Sequence, residues 1–203
     1  MNKKEIIRKI IKDNNGILLS KNLSHNDISL QYISEMVKDG EIFKSENGVY
    51  FSTDTFEDEM FTIQTRYPKC VFSHETALYL HDLSDRDPLE YSVTLSSDSN
   101  RSSIKKFNVK VYSIKNELLN LGIITLPTVF GRKINTYNPE RTICDIVRNK
   151  SRIEIGIFSD AIKKYITRNN KNIPLLMQYA EKFRIQKKIR EYLEVLIWTH
   201  HDN

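Results

Sequence analysis

Glycine and proline are scarce in this chain, with six and five residues among 203. Because flexible linkers are rich in these residues, their scarcity argues against long disordered connections. The sequence also lacks any apolar stretch approaching the roughly 20 residues that a membrane-spanning helix requires. Met1 is followed by polar and charged residues, so we expect neither a secretory leader nor a membrane partner.

Cysteine is nearly absent as well. Cys70 and Cys144 are isolated in the sequence, outside any CxxC pair or histidine cluster. Since disulfides are rare in the reducing cytosol, we expect two reduced thiols in a cytoplasmic protein. A free cysteine of this kind is more often a small buried apolar residue than a nucleophile.

Recognisable catalytic motifs are missing too. The sequence contains no glycine-rich phosphate-binding loop and no GxSxG motif. His74 and Glu75 resemble the start of a zinc-protease motif, but Leu78 stands where the second histidine should follow. His81 would share a helix face with His74, yet no third metal ligand is evident. We therefore expect no enzyme, no metal and no cofactor.

A second group of ionisable residues lies at Glu140, Arg141 and Asp145. Glu140 follows a helix-start pattern, and acids are common in a first helical turn. Arg141 and Asp145 are four residues apart on one helix face, a spacing that favours an ion pair. The alternative of a nuclease or transferase that uses His74, Glu75 and Asp145 stays open.

The first 54 residues carry the clearest structural pattern. A helix is predicted from Lys3 to Asn14, because isoleucines at positions 6, 7, 10 and 11 share one face. A second, short helix is expected from Ser20 to His25. Ser29 suits the N-cap of a third helix, which should end at Gly40.

The third helix and the segment after it predict a DNA-binding arrangement. Ile33, Met36 and Val37 have the spacing of a buried helical stripe. Short strands are expected at 42–43 and 49–51, joined by a type I′ turn that contains Asn47 and Gly48. Three helices followed by a hairpin are the order of a winged helix-turn-helix, which places its third helix in the major groove. We favour DNA binding over the alternative, a small domain that docks another protein.

The remaining residues, 55–203, predict a mixed α+β domain. An acidic segment at 52–68 should form a helix, Ser73 should cap a second helix, and Asn138 followed by Pro139 should begin a third. Strands are expected at 70–72, 91–95, 107–112, 123–129 and 132–137, and closing helices at 154–168, 173–183 and 185–198. The predicted fold class is therefore α+β, with a winged helix-turn-helix over 1–54 and a carboxy-terminal domain that ends in helices.

The net charge of +5 is distributed unevenly. Residues 1–53 hold eight basic and seven acidic residues, whereas residues 148–190 hold twelve and three. A nearly neutral DNA-binding domain makes few phosphate contacts, so we expect further contacts from the basic segment. The candidates are Lys163, Lys164, Lys182, Arg184, Lys187, Lys188 and Arg190. The same charge could instead dock an acidic protein.

Two longer strings are specific in combination, RYPKCVFSHETAL at 66–78 and YNPERTICD at 137–145. Together with the winged-helix order, they make the chain resemble the AbiEi-type antitoxins of type IV toxin–antitoxin systems, which act in abortive infection, a form of phage defence. The resemblance covers nearly the whole chain. It implies an amino-terminal domain that binds repeats in its own promoter and represses transcription. It also implies a carboxy-terminal domain that counteracts a nucleotidyltransferase-like toxin, without requiring a stable complex.

One departure from that family concerns base recognition. Its recognition helices are often rich in arginine, whereas residues 29–38 contain none. Because arginine is the commonest guanine ligand, we expect an A·T-rich operator that is recognised partly by shape. The expected DNA contacts are Gln31, Tyr32, Ser34 and Lys38 in the helix and Lys44, Ser45 and Asn47 in the wing.

These residues would have different roles. Gln31 suits adenine, and Lys38 and Lys44 suit phosphates. Tyr32 could contact a thymine methyl group or pack beneath the helix. Two protomers should meet on paired half-sites of double-stranded promoter DNA. A protein-binding adaptor without a DNA role is the remaining alternative.

Overall fold

The computed structural model describes residues 2–23, 28–46 and 48–200, with side chains through Glu194. In this part of the chain it is a mixed α+β structure with two β-sheets, as predicted for the class. The chain divides into two compact units, residues 1–68 with 128–132 and residues 69–127 with 133–203. The predicted boundary after residue 54 falls inside the first unit.

The first unit combines helices with a three-stranded antiparallel sheet. Its elements are α1 (Lys3–Asp13), β1 (Ile17–Leu19), a 3₁₀ turn (Ser20–Asn22), α2 (Leu30–Lys38), β2 (Ile42–Glu46), β3 (Val49–Ser52) and α3 (Glu59–Arg66). The strand order is β1-β3-β2. Strand β1 was not predicted, since three residues show no alternation and only pairing with β3 defines them as a strand.

Local sequence explains where α2 begins and ends. The Ser29 hydroxyl accepts a hydrogen bond from the Gln31 amide at 3.2 Å, as an N-cap should. Gly40 has a φ of +73°, the left-handed conformation that closes a helix. Ile33 and Met36 are buried, but Val37, which was predicted to be buried, is 36% exposed. Successive residues of a helix are about 100° apart around its axis. Val37 therefore lies roughly 70° from the direction midway between Ile33 and Met36, and this rotation carries it toward solvent.

The hairpin that follows α2 has the predicted strands. Phe43 pairs with Phe51 across β2 and β3, and their rings stack with centroids 5.6 Å apart. A bulge interrupts the register between Lys44 and Glu46. The predicted type I′ turn involves Asn47, which lies outside the described residues. His25, the last residue of the predicted second helix, also lies outside the described residues. The described part of that segment contains the 3₁₀ turn Ser20–Asn22.

The acidic segment before α3 has a structural role. Asp58 caps the helix by accepting a hydrogen bond from the Phe61 amide at 3.0 Å. Its carboxylate also accepts from the Thr128 hydroxyl at 2.6 Å and from Arg132 at 3.3 Å. These contacts explain why residues 128–132 belong to the first unit.

The second unit contains a mixed five-stranded sheet and a group of helices. Its elements are β4 (Val71–Phe72), α4 (His74–Leu80), β5 (Ser92–Ser96), a 3₁₀ turn (Ile104–Phe107), β6 (Lys110–Ile114), α5 (Asn116–Leu119), β7 (Ile123–Pro127), β8 (Lys133–Tyr137), α6 (Pro139–Arg148), a 3₁₀ turn (Lys150–Arg152), α7 (Ile155–Thr167), α8 (Ile173–Lys182) and α9 (Gln186–His200). The strand order is β6-β5-β4-β8-β7. Pairs β5·β6 and β4·β8 are parallel, and the other two pairs are antiparallel.

Most predicted elements of this unit are present, with one shift. The strand predicted from Phe107 begins at Lys110, because Phe107 ends a 3₁₀ turn and Asn108 has a φ of +50°. Helix α6 begins as predicted, with Asn138 accepting a hydrogen bond from the Arg141 amide. Consecutive residues of α6 are buried, from 140 to 147, because α4, α7, α8 and α9 all pack against this helix.

Both cysteines lie in the core as free thiols, as predicted. Burial raises the pKa of the Cys70 thiol to about 12 and also raises the pKa of Cys144. None of the described helices is both long and apolar enough to cross a bilayer.

Candidate nucleic-acid interface

Helix α2 presents one exposed side on the first unit. Leu30 is 59% exposed, and Gln31, Ser34 and Lys38 are exposed on the same helix. Ile33 and Met36 face the opposite way, into the core formed with α1. We call Leu30, Gln31, Ser34, Val37 and Lys38 the outer face of α2.

The acidic residues of α2 are held by α1 rather than left on this outer face. Lys4 Nζ lies 3.3 Å from Glu35 and 3.0 Å from Asp39. The two carboxylates, through hydrogen bonding and charge, raise the pKa of Lys4. Arg8 binds both carboxylate oxygens of Glu41, at 2.8 and 2.9 Å. These two cations offset two of the three acidic charges near α2, which reduces the repulsion of a polyanion there.

The residues of α2 that were predicted to contact DNA differ in their exposure to solvent. Gln31 donates a hydrogen bond to Glu35 at 3.3 Å, and Ser34 donates to the Leu30 carbonyl at 3.3 Å. Both side chains remain exposed, as does Lys38. Tyr32 is half-buried against the core of the first unit, which matches the alternative in which it packs beneath the helix.

The predicted wing, the β2–β3 hairpin, carries an exposed lysine, and an acidic residue lies beside the hairpin. Lys44 is exposed, but the Ser45 hydroxyl donates a hydrogen bond to the Glu57 carboxylate. This contact places a negative charge beside the hairpin and occupies the hydroxyl that was predicted to bind DNA. Asn47, the third predicted wing residue, lies outside the described residues.

The seven basic candidates belong to the second unit, in α7, at the end of α8 and in α9. Lys164 is held by Asp85 at 2.5 Å, whereas the other six side chains are exposed. Lys182 and Arg184 line a cleft of about 830 Å³ together with Lys115 and Arg148. Sequence reasoning missed Lys115 and Arg148, because no sequence pattern relates residues so far apart in the chain.

The buried histidine at position 74 is part of a polar chain of contacts. Asn149 Nδ2 donates to His74 Nε2 at 3.0 Å, which assigns the proton to Nδ1, 2.9 Å from Ser73 Oγ. Thr94 also donates to this hydroxyl. Ser73 therefore makes no cap hydrogen bond to α4, contrary to prediction. Burial, reinforced by the Arg141 charge, holds the pKa of His74 well below its usual range, so the ring is neutral.

The other two residues of the catalytic alternative also have protein partners. Glu75 accepts from Lys110 Nζ at 2.7 Å and from the Ser92 hydroxyl at 3.1 Å. Asp145 accepts from Arg141 Nε at 2.9 Å and from Arg148 at 3.2 Å. The predicted ion pair of Arg141 with Asp145 is confirmed, and it is fully buried.

Among the described residues, no group of three or more His, Cys, Asp or Glu side chains could hold a metal ion. His74 and His81 have separate environments. His81 Nε2 lies 2.6 Å from the Tyr137 carbonyl oxygen.

Comparisons with known proteins concern the fold. No protein-family model matches this chain, and no curated protein matches it. Among solved structures, the chain is similar to the crystal structure of the RV2827C protein from Mycobacterium tuberculosis, with a TM-score of 0.64 and 10% sequence identity. That similarity covers 87% of this chain and 70% of the other. At this identity the likeness is one of fold.

Proposed function

We propose that this protein is a cytoplasmic DNA-binding autorepressor and an AbiEi-type antitoxin of a type IV toxin–antitoxin system. The observation that carries the DNA-binding half is the outer face of α2. This face combines an amide, a hydroxyl, an ammonium group and two apolar side chains, with the acids of the helix held by Lys4. Such groups suit base edges, thymine methyl groups and phosphates in a major groove.

The connectivity of the first unit supports the same proposal. A helix, a short strand, a turn, a second helix and a hairpin follow one another, and the sheet order is β1-β3-β2. A winged helix-turn-helix has three helices before its hairpin, and the last of them is the recognition helix. We assign that role to α2 and take the 3₁₀ turn at Ser20–Asn22 as the counterpart of the second helix. In this proposal α2 enters the major groove and the β2–β3 hairpin lies against the backbone.

The chemistry of the outer face favours an A·T-rich operator. Gln31 can pair with the adenine edge, and Leu30 offers an apolar contact for a thymine methyl group. No arginine lies on α2 to bind guanine. Selection from random duplexes should therefore return A·T-rich half-sites, and G·C-rich half-sites would contradict this part of the proposal.

A gel-shift titration with the promoter DNA upstream of the gene tests DNA binding. Gln31→Ala should weaken binding by about 1–3 kcal/mol, or roughly 5- to 150-fold, since it removes a base contact. Lys38→Ala should weaken binding to all sequences and reduce the salt slope by about 0.9, as expected for one lost phosphate contact.

Lys9→Ala in α1 is the matched control, because it removes an exposed lysine of the first unit outside the outer face of α2. Its affinity and salt slope should match those of the unchanged protein. Equal effects of Lys9→Ala and Lys38→Ala would show that α2 is not the DNA-binding element.

The proposed antitoxin activity is supported by the resemblance at residues 66–78 and 137–145. It is tested separately from DNA binding. Co-expression with the toxin encoded beside the gene should restore growth when the full chain is supplied. The Gln31→Ala, Lys38→Ala double variant should still rescue growth while losing repression of a promoter reporter. Failure of the unchanged chain to rescue growth would refute the antitoxin assignment and leave the DNA-binding assignment intact.

A further inference from the structure

A cleft of about 830 Å³ lies within the second unit. Its volume is within the range of small-molecule sites, roughly 300–1,000 Å³. Ile114, Leu118, Leu121 and Phe183 supply its apolar lining. The cleft is therefore large enough for a ligand that has an apolar or aromatic part.

The charge of the cleft has one dominant sign. Lys115, Arg148, Lys182 and Arg184 line it, and Glu117 is its acidic lining residue. These cations come from three separate segments, after β6, at the end of α6 and at the end of α8. The lining residues carry a net charge of about +3, which attracts a small ligand that carries several negative charges.

A buried guanidinium adds to this field from behind the lining. Arg141 is fully buried, and its Nη1 donates to the carbonyls of Leu118 and Leu121 at 2.9 and 2.7 Å. It also lies 4.5 Å from the Phe183 ring centroid. Its Nη2 has no hydrogen-bond partner among the described residues.

The single carboxylate of Asp145 pairs with two guanidinium groups beside the cleft. It can neutralise only one of these two positive charges. Its carboxylate binds both Arg141 and Arg148. A buried cation without full compensation is unfavourable in a low-dielectric interior, and an anion bound nearby would offset that cost.

The backbone conformation of Arg184, at the rim of the cleft, also supports a binding role. Arg184 follows α8 with a φ of +58°, at a position that glycine normally takes when a helix closes. A residue with a Cβ is disfavoured there. A guanidinium placed on the cleft wall by a strained backbone is consistent with a binding role.

We propose that this cleft binds a nucleoside triphosphate. The triphosphate contacts Lys115, Arg148, Lys182 and Arg184, and its charge matches the cationic lining. The base and ribose occupy the apolar side formed by Leu118 and Leu121. This proposal goes beyond DNA binding and antitoxin activity and does not depend on either.

The test is calorimetric titration of the full chain with ATP in EDTA, which keeps the nucleotide at its full negative charge. One ATP should bind per chain. Arg184→Gly should weaken binding about tenfold or more, since it removes a charge-assisted contact while suiting the backbone. Lys188→Ala, an exposed lysine on α9 outside the cleft, is the charge-matched control and should bind within twofold of the unchanged chain.

Competition with inorganic triphosphate separates the phosphate and nucleoside parts. Triphosphate should displace ATP but bind more weakly, and inorganic phosphate should not compete at similar concentrations. Lack of ATP binding at millimolar concentration, or equal losses in Arg184→Gly and Lys188→Ala, would overturn the site. Equal affinity for triphosphate and ATP would overturn the assignment of the apolar side to a nucleoside. Lys38→Ala on α2 should leave ATP binding unchanged, which distinguishes this site from the DNA interface.

Discussion

The left-handed backbone conformation of Arg184 predicts that replacing this residue by glycine stabilises the fold. The chain turns after α8 through two hydrogen bonds of 2.9 Å, from the Arg184 amide to Glu181 and from the Ile185 amide to Ala180. The φ of +58° brings the Cβ of Arg184 close to its own backbone. Glycine has no Cβ, so Arg184→Gly should keep both hydrogen bonds and remove this repulsion.

The magnitude follows from two opposing effects. A left-handed conformation costs a residue with a Cβ about 1–2 kcal/mol. Glycine loses more backbone entropy on folding, which costs roughly 0.5–1 kcal/mol. Taking the midpoints of the two ranges, Arg184→Gly should raise the free energy of unfolding by about 0.75 kcal/mol, or Tm by about 1.5–3 °C for a chain of this size.

Arg184→Ala is the matched control, because alanine removes the guanidinium but retains the Cβ. Urea unfolding of both variants isolates the backbone effect from any effect of the charge. The glycine variant should be more stable than the alanine variant. An alanine variant that is equally stable or more stable would show that position 184 carries no backbone strain.

Three further predictions concern the glycine beside Arg141, the buried His74 and the buried Cys70. Gly122→Ala should destabilise the fold by about 1–3 kcal/mol more than Gly131→Ala in urea unfolding. Both glycines have positive φ, but a Cβ at 122 would lie 2.8 Å from Arg141 Cβ, whereas nothing lies within 4 Å at 131. Stability should fall as the pH decreases below 6.5, because burial lowers the pKa of folded His74 and the unfolded chain then binds more protons. The contribution of His74 to this slope should approach about 1.4 kcal/mol per pH unit, and His74→Asn should remove that contribution. Cys70, whose pKa burial raises to about 12, should resist thiol reagents at pH 8 until the protein is denatured. Equal losses for the two glycines, an unchanged pH slope, or rapid labelling of the native thiol would each contradict the corresponding argument.

Helix boundaries were the most predictable features, because caps act over a few residues. Ser29 before α2 and Asn138 before α6 each accept the expected hydrogen bond from the backbone. The hairpin strands and the closing helices were also predicted, since alternating and helical periodicities extend over several residues. The predicted DNA contacts at Gln31, Ser34 and Lys38 are exposed, and their role stays a prediction.

Features that depend on distant partners were not predictable in this way. Ser73 follows a capping pattern, but its hydroxyl is engaged by His74 and Thr94 instead. The spacing of Arg141 and Asp145 predicted an ion pair, yet a sequence pattern does not show that four other helices bury it. The cleft residues Lys115 and Arg148 come from separate segments, and no short-range pattern connects them.

The sequence by itself determined the α+β class, the ends of α2 and α6, the hairpin and the uneven charge. These properties depend on interactions between residues a few positions apart, or on composition alone. Tertiary structure decided that Val37 is exposed, that Ser45 binds Glu57, and that Arg141 is buried beside a cationic cleft. Burial and pairing over long sequence separations depend on how elements pack, and packing joins residues that no local pattern relates.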